Sequence, residues 1–86
     1  MYQLVVTPPA ARAIQGDPPE HVAAAVIEFL TGPLVETPYR IGKELRRELT
    51  GIFSARRGTY RILYRINEDA REVIVLRIEH RRDAYR

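Results

Sequence analysis

The chain has no cysteine among its 86 residues, and that alone removes several kinds of chemistry. No disulfide can staple the fold, no thiolate can hold zinc, and no thiol can serve as a nucleophile. Histidine is almost as scarce: His21 and His80 stand far apart and do not suggest a metal site. No metal and no cofactor is therefore expected. Lysine occurs once, at Lys43, so nearly all the positive charge is arginine. No apolar run approaches the roughly 18 residues of a membrane span, and no signal peptide precedes Met1–Thr7. The expectation is a cytosolic protein with no membrane partner.

What remains is an ordinary globular composition. Hydrophobic residues make up 45% of the chain, which argues against wholesale disorder, and the length suits one small domain spanning residues 1–86. Charge is the informative quantity. The formal net charge is only +3, but residues 1–39 hold one basic side chain (Arg12) against four acidic ones, a net −3. Residues 40–86 hold thirteen basic against seven acidic, a net +6. Arginine stays charged when partly buried and binds phosphate through two parallel hydrogen bonds. The bias therefore favours a phosphate-rich or acidic partner.

The local patterns predict an α+β domain in the order β-α-α-β-β-β. Tyr2–Thr7 alternates as a short strand. Thr7 as a cap, Pro8 at the first helical position and Gly16 as terminator describe a brief helix. Asp17-Pro18-Pro19-Glu20 has capping-box spacing before a second helix, whose apolar stripe is Val22, Ala25, Val26, Phe29 and Leu30. This pair should form an αα-hairpin on one face of a curved, mainly antiparallel sheet. His21 reads as solvent-facing. Leu34–Tyr39 reads as a connection broken by Pro33 and Pro38. Two strands are expected around Leu49–Ala55 and Tyr60–Ile66, with a tight turn at Arg56–Thr59 where Gly58 is the permissive residue. Asn67–Ala70 is a polar turn. Glu72–Glu79 is the most β-prone run and should lie centrally. His80 reads as a turn residue.

On the strand Tyr60–Ile66, one face carries Tyr60, Ile62, Tyr64 and Ile66 and the other Arg61, Leu63 and Arg65. Tyr60 and Tyr64 then belong to the core. Arg61 is costly to bury unless an anion is near, which could be a phosphate or a cross-strand carboxylate such as Glu79 or Glu72. Three pieces of chemistry could meet on the basic side: Arg61, Arg81 with Arg82 after the last strand, and Tyr85. Lys43, Arg46, Arg47, Arg56 and Arg57 surround them.

The order of elements, the phrase Gly42-Lys43-Glu44-Leu45-Arg46, the run from Gly51 to Tyr64 (GIFSARRGTYRILY) and the ending His80–Tyr85 together resemble the RelE/ParE superfamily of bacterial toxin–antitoxin systems. The likeness is greatest to its ribosome-dependent, RelE-type mRNA interferases. It covers nearly the whole chain. It implies a metal-independent endoribonuclease that enters the ribosomal A site, contacts rRNA and cuts mRNA. A cognate antitoxin would neutralise it and carry it to operator DNA. Carried over by position, Arg61 stabilises the transition state, Arg81 contacts phosphate and Tyr85 engages the substrate base. Arg46, Arg47, Arg56, Arg57 and Arg82 become RNA or ribosome contacts. Lys43 stands where some relatives have a glutamate general base, and Ile52 and Ser54 replace a pair of lysines. The general base is open between Lys43, Arg56 and Glu48. The rival reading is a ParE-like inhibitor that binds DNA gyrase and cleaves nothing.

Overall fold

The computed structural model describes residues 1–16 and 18–80. In chain order these form β1 (Gln3–Val6), α1 (Pro8–Gln15), α2 (Glu20–Thr31), two single-turn helices α3 (Pro33–Glu36) and α4 (Pro38–Ile41), β2 (Lys43–Glu44), a 3₁₀ turn (Arg47–Leu49), β3 (Phe53–Arg57), β4 (Tyr60–Asn67) and β5 (Glu72–His80). The strands make one sheet ordered β1-β5-β4-β3-β2. Only β1 and β5 run parallel; the other neighbours are antiparallel. The α+β class and the helical pair beside a mainly antiparallel sheet are as the sequence predicts. β5 is interior, but the middle strand is β4.

One apolar face of the sheet lies under the helices. Val26, Phe29 and Leu30 of α2 are buried together with Phe53, Ala55, Ile62, Tyr64, Val73, Val75 and Ile78, so the helical stripe meets the pleated face it was expected to cover. Val22 and Ala25 are half-buried and His21 is exposed, as expected. Tyr64 is fully buried, and its hydroxyl donates to the Pro38 carbonyl oxygen at 2.6 Å. Its ring stacks on Phe53 with centroids 5.5 Å apart.

Several expectations are corrected. Pro33 and Pro38 do not break the connection into a loop. Each opens a one-turn helix, where the missing N–H would have no partner anyway. The strand placed at Leu49–Ala55 begins only at Phe53. Before it, Gly51 takes φ +94°, its N–H bonds to Glu44 Oε2 at 3.0 Å, and the Thr50 hydroxyl donates to the Arg47 carbonyl at 2.7 Å, closing a tight turn instead. The hairpin turn is shorter than expected: β3 runs through Arg57 and β4 starts at Tyr60, leaving Gly58 (φ +63°) and Thr59 as the two-residue connection. Thr7 precedes α1, but its hydroxyl does not cap the helix. It donates to the Val75 and Leu76 carbonyls at 2.8 and 3.0 Å, tying the helix start to β5. α2 starts at Glu20 with Pro19 before it, and the expected Asp17 cap lies outside the described residues. His80 is the last residue of β5 rather than part of a turn.

Candidate functional site

The site follows from strand parity. Along β4, Ile62 and Tyr64 are fully buried under the helices, so Arg61, Leu63 and Arg65 must project from the opposite face. Cross-strand partners share a face. Arg61 pairs with Arg56 on β3 and with Glu79 on β5, which makes one row: Arg56, Arg61, Glu79. The next row is Lys43, Ser54, Leu63, Arg77, read through the pairs Lys43–Ser54, Ser54–Leu63 and Leu63–Arg77. Lys43, Arg56, Arg61 and Arg77 thus line the face that carries no helix among the described residues, called the helix-free face below. Two strand spacings and two residue steps separate Lys43 from Arg61, roughly 12 Å between Cα atoms.

Arg77 was missed because β5 does not alternate regularly. The register slips between Leu63/Tyr64, where Leu63 faces Arg77 but Tyr64 faces Val75. Leu76 is the extra residue of this β-bulge. The slip moves Ile78 onto the buried face with Val73 and Val75, and turns Arg77 and Glu79 outward. The sequence signal was present: a run apolar at every position (Val73–Leu76) gives way to Arg77-Ile78-Glu79, whose single apolar residue falls on the other parity.

Arg61 is paired in the free chain. Its Nε and Nη2 both donate to Glu79 Oε1, at 3.1 and 2.6 Å, which is the cross-strand carboxylate the sequence offered as an alternative to phosphate. Arg77 Nε lies 3.6 Å from Glu79 Oε2. Arg57 does not join this set. It shares the parity of Phe53 and Ala55, so it sits exposed at the hairpin end of the helix-side face, and it belongs to β3 rather than to the turn. Arg46 and Arg47 are exposed on the segment between β2 and β3, with Arg47 at φ 60°. Arg81, Arg82 and Tyr85 lie outside the described residues. Among the described residues no group of three His, Cys, Asp or Glu side chains could hold a metal ion.

Lys43 is placed by a contact made on the opposite face of the sheet. It follows Gly42, whose missing side chain makes room for the Tyr64 ring. A Cβ at Gly42 would fall on the Tyr64 hydroxyl and 3.0 Å from the Ser54 carbonyl oxygen. Burial pushes the Tyr64 phenol up to about 12, so it stays a neutral donor to Pro38.

A second polar cluster joins the sheet's other end. Glu68, read only as part of a polar turn, accepts from the Tyr2 hydroxyl at 2.8 and 2.9 Å and from the Tyr39 hydroxyl at 2.7 Å. It also accepts from Arg71 Nη1 at 2.6 Å. These hydrogen bonds, Tyr39's first, hold the Glu68 carboxyl below its ordinary value, and the one to Glu68 pushes Tyr39 up to about 12. The Arg71 guanidinium lies 4.1 Å above the Tyr2 ring. Beside this turn, Gly51, Arg65, Asn67, Glu68, Asp69 and Ile74 line an open cleft of about 470 Å³. Arg61 does not line it. It stands four residues along β4 from Arg65, roughly 13 Å away.

The sequence matches the family model for the ParE toxin of type II toxin–antitoxin systems, parDE, over residues 8–85, and the chain belongs to this family of toxins. Among individual relatives it is 52% identical over 85 residues to the toxin RelG of Mycobacterium tuberculosis, covering 99% of this chain and 97% of RelG. It is 45% identical to the toxin RelE of the same organism, over 99% of this chain and 87% of that one. The fold superposes on the M. tuberculosis RelBE2 toxin–antitoxin complex with a TM-score of 0.87 at 50% identity, covering 93% of this chain and 98% of that chain. The Escherichia coli RelBE complex shares the fold at 17% identity, with a TM-score of 0.76, 93% of this chain and 96% of that chain being covered.

Proposed function

We propose that this toxin is a ribosome-dependent endoribonuclease that cuts mRNA in the A site and so arrests translation. The observation that carries the reading is the grouping of Arg61 with Lys43, Arg56 and Arg77 on one helix-free face. A polymer laid on that face meets several phosphate-binding groups at once. In the reaction, the 2′-oxygen forms a bond to the adjacent phosphorus while the bond to the 5′-oxygen breaks. The products are a cyclic phosphate and a free 5′-hydroxyl. The 2′-proton passes to a base and the 5′-oxygen gains a proton. Arg61 offsets the charge that builds on the pentacoordinate phosphorus. Arg56 and Arg77 hold neighbouring phosphates, and Arg46, Arg47, Arg57 and Arg82 contact rRNA or mRNA backbone.

Lys43 takes the proton-transfer role in this reading. It stands directly across from Ser54, a position where the resemblance expects a lysine. Arg81 and Tyr85 keep the roles the resemblance implies, phosphate contact and base engagement. The RelBE2 toxin–antitoxin complex, 50% identical to this chain, supports a cognate antitoxin as partner. In this reading operator DNA is bound only through that antitoxin and the site of action is the cytoplasm.

Arginines and one lysine do not make a strong acid–base pair, so positioning by the ribosome has to supply much of the rate. The test is primer extension on mRNA in translating ribosomes, beside the same RNA free in solution. Cuts confined to A-site codons on ribosomes are expected. Equal cutting of free RNA overturns ribosome dependence. The match to the ParE model favours one other reading, a non-catalytic gyrase inhibitor. That reading gains if the protein blocks DNA supercoiling and leaves ribosomal mRNA whole.

A further inference from the structure

Glu79 occupies the groups on Arg61 that a phosphate would use. The Nε/Nη2 edge of a guanidinium is one of the two edges that bind an oxyanion through parallel hydrogen bonds. Here both nitrogens converge on Glu79 Oε1, at 3.1 and 2.6 Å, and register places the two residues directly opposite each other. The carboxylate is the less exposed partner, 21% against 45% for Arg61, and it lies between two guanidinium groups. Its other oxygen already faces Arg77 Nε at 3.6 Å.

We propose that Glu79 is a built-in competitor for RNA phosphate: it latches Arg61 in the free toxin, and an incoming phosphate displaces it onto Arg77. The proposal rests on reading Arg61 as a phosphate-binding residue. The exchange trades one anion for another on Arg61 and does not strand the carboxylate, because Arg77 stands ready to receive it. The latch also answers a packing problem. Arg56 and Arg61 are like charges directly across a strand pair, an arrangement that is unfavourable without a neighbouring anion. Its functional consequence is a toxin that grips scattered RNA weakly and commits Arg61 only where other contacts hold the phosphate in place. Glu79 acts through Arg61 and is a positioning residue.

The experiment is a double-mutant cycle read by fluorescence anisotropy with a labelled single-stranded RNA oligonucleotide at low salt. Wild type, Glu79→Gln, Arg61→Ala and the double variant are compared, with circular dichroism as folding control. Glu79→Gln keeps the side chain's shape and removes its charge. It should tighten binding about two- to fivefold, the range a partly exposed ion pair supports. In the Arg61→Ala background that gain should fall by at least half, because coupled residues are not additive. An equal gain in both backgrounds reduces Glu79 to a repelling charge and overturns the latch. So do equal affinities of wild type and Glu79→Gln, undetectable binding by both included. A Glu79→Gln variant that binds RNA like wild type but loses ribosomal cleavage makes Glu79 part of the chemistry and also overturns it. Cleavage by wild type on ribosomes is scored separately. If it fails while the cycle behaves as expected, the nuclease reading falls and the latch stands.

Discussion

Truncating Arg61 to alanine separates chemistry from folding, because the two costs differ by a known margin. The side chain is 45% exposed, and its sequence neighbours Tyr60 and Ile62 point into the core from the opposite face. What the fold loses is an ion pair with Glu79, worth under about 1 kcal/mol at this exposure. It also sheds the like-charge opposition of Arg56, and Glu79 keeps Arg77 nearby. The net change should stay within about 0.5–1 kcal/mol, against roughly 4–13 kcal/mol for a natural domain of this length. The folded fraction hardly moves. A charged donor aimed at developing phosphorane charge is worth far more, on the order of 10²–10³ in rate, or about 3–4 kcal/mol. Arg61→Ala should therefore melt within a few degrees of wild type, still bind its antitoxin, and lose growth arrest and A-site cleavage. Arg57→Ala, on the other face at the hairpin end, should cut nearly as well as wild type. Primer extension, toxicity on induction and thermal melts by circular dichroism read all of this. A folded Arg61→Ala that cuts like wild type removes Arg61 from catalysis.

Gly42→Ala should destabilise by about 2–4 kcal/mol, since overpacking is added to a disturbed buried hydrogen bond. Thermal melting should fall by on the order of 10 °C, and an unchanged Tm refutes the contact with Tyr64. Tyr64 contributes to the alkaline limb, alongside Tyr39. Its phenol is raised in the fold, so its contribution is whole below pH 10 and is lost as pH climbs through about 12; urea midpoints that stay level between pH 9 and 11.5 count against it. Glu68 governs part of the acid limb. Its carboxyl is held low by Tyr39 and Tyr2, so its stabilisation is present above the ordinary carboxylate range and lost as pH falls through the depressed value. Glu68→Gln should flatten the melting profile between pH 3 and 6, and an unchanged slope there refutes the assignment.

How much was legible in the chain depended on whether a residue's surroundings were local. β4 alternates without interruption, so Arg61 facing away from Tyr60, Ile62 and Tyr64 could be read directly. β5 could not be read that way: Val73 to Leu76 are apolar at every position, and such a run has no parity until a partner strand supplies one. The bulge that exposes Arg77 and Glu79 is visible only in the pairing. Pro33 and Pro38 have two meanings, a stop and a first helical residue, and only the backbone chooses between them. Glu68 looked like turn filler because its partners Tyr2 and Tyr39 lie 66 and 29 residues away.

Lys43 shows how the buried side of the sheet sets up the exposed one. β2 has only two residues, held by two register pairs with β3 and the adjoining Leu45–Ile52 hydrogen bond, and so short a strand has little hold of its own. Its place comes from the Tyr64 hydroxyl, which bonds the Pro38 carbonyl at the start of α4 and lies against Gly42 at its end. One buried phenol thus fixes the whole corner from which Lys43 projects, onto the face opposite to Tyr64 itself. Because Lys43 lies directly across from Ser54, the ammonium that the resemblance places on β3 can be supplied from the next strand. Under the proposed function, Gly42 and Tyr64 set the backbone from which this lysine would reach the phosphate bound by Arg61.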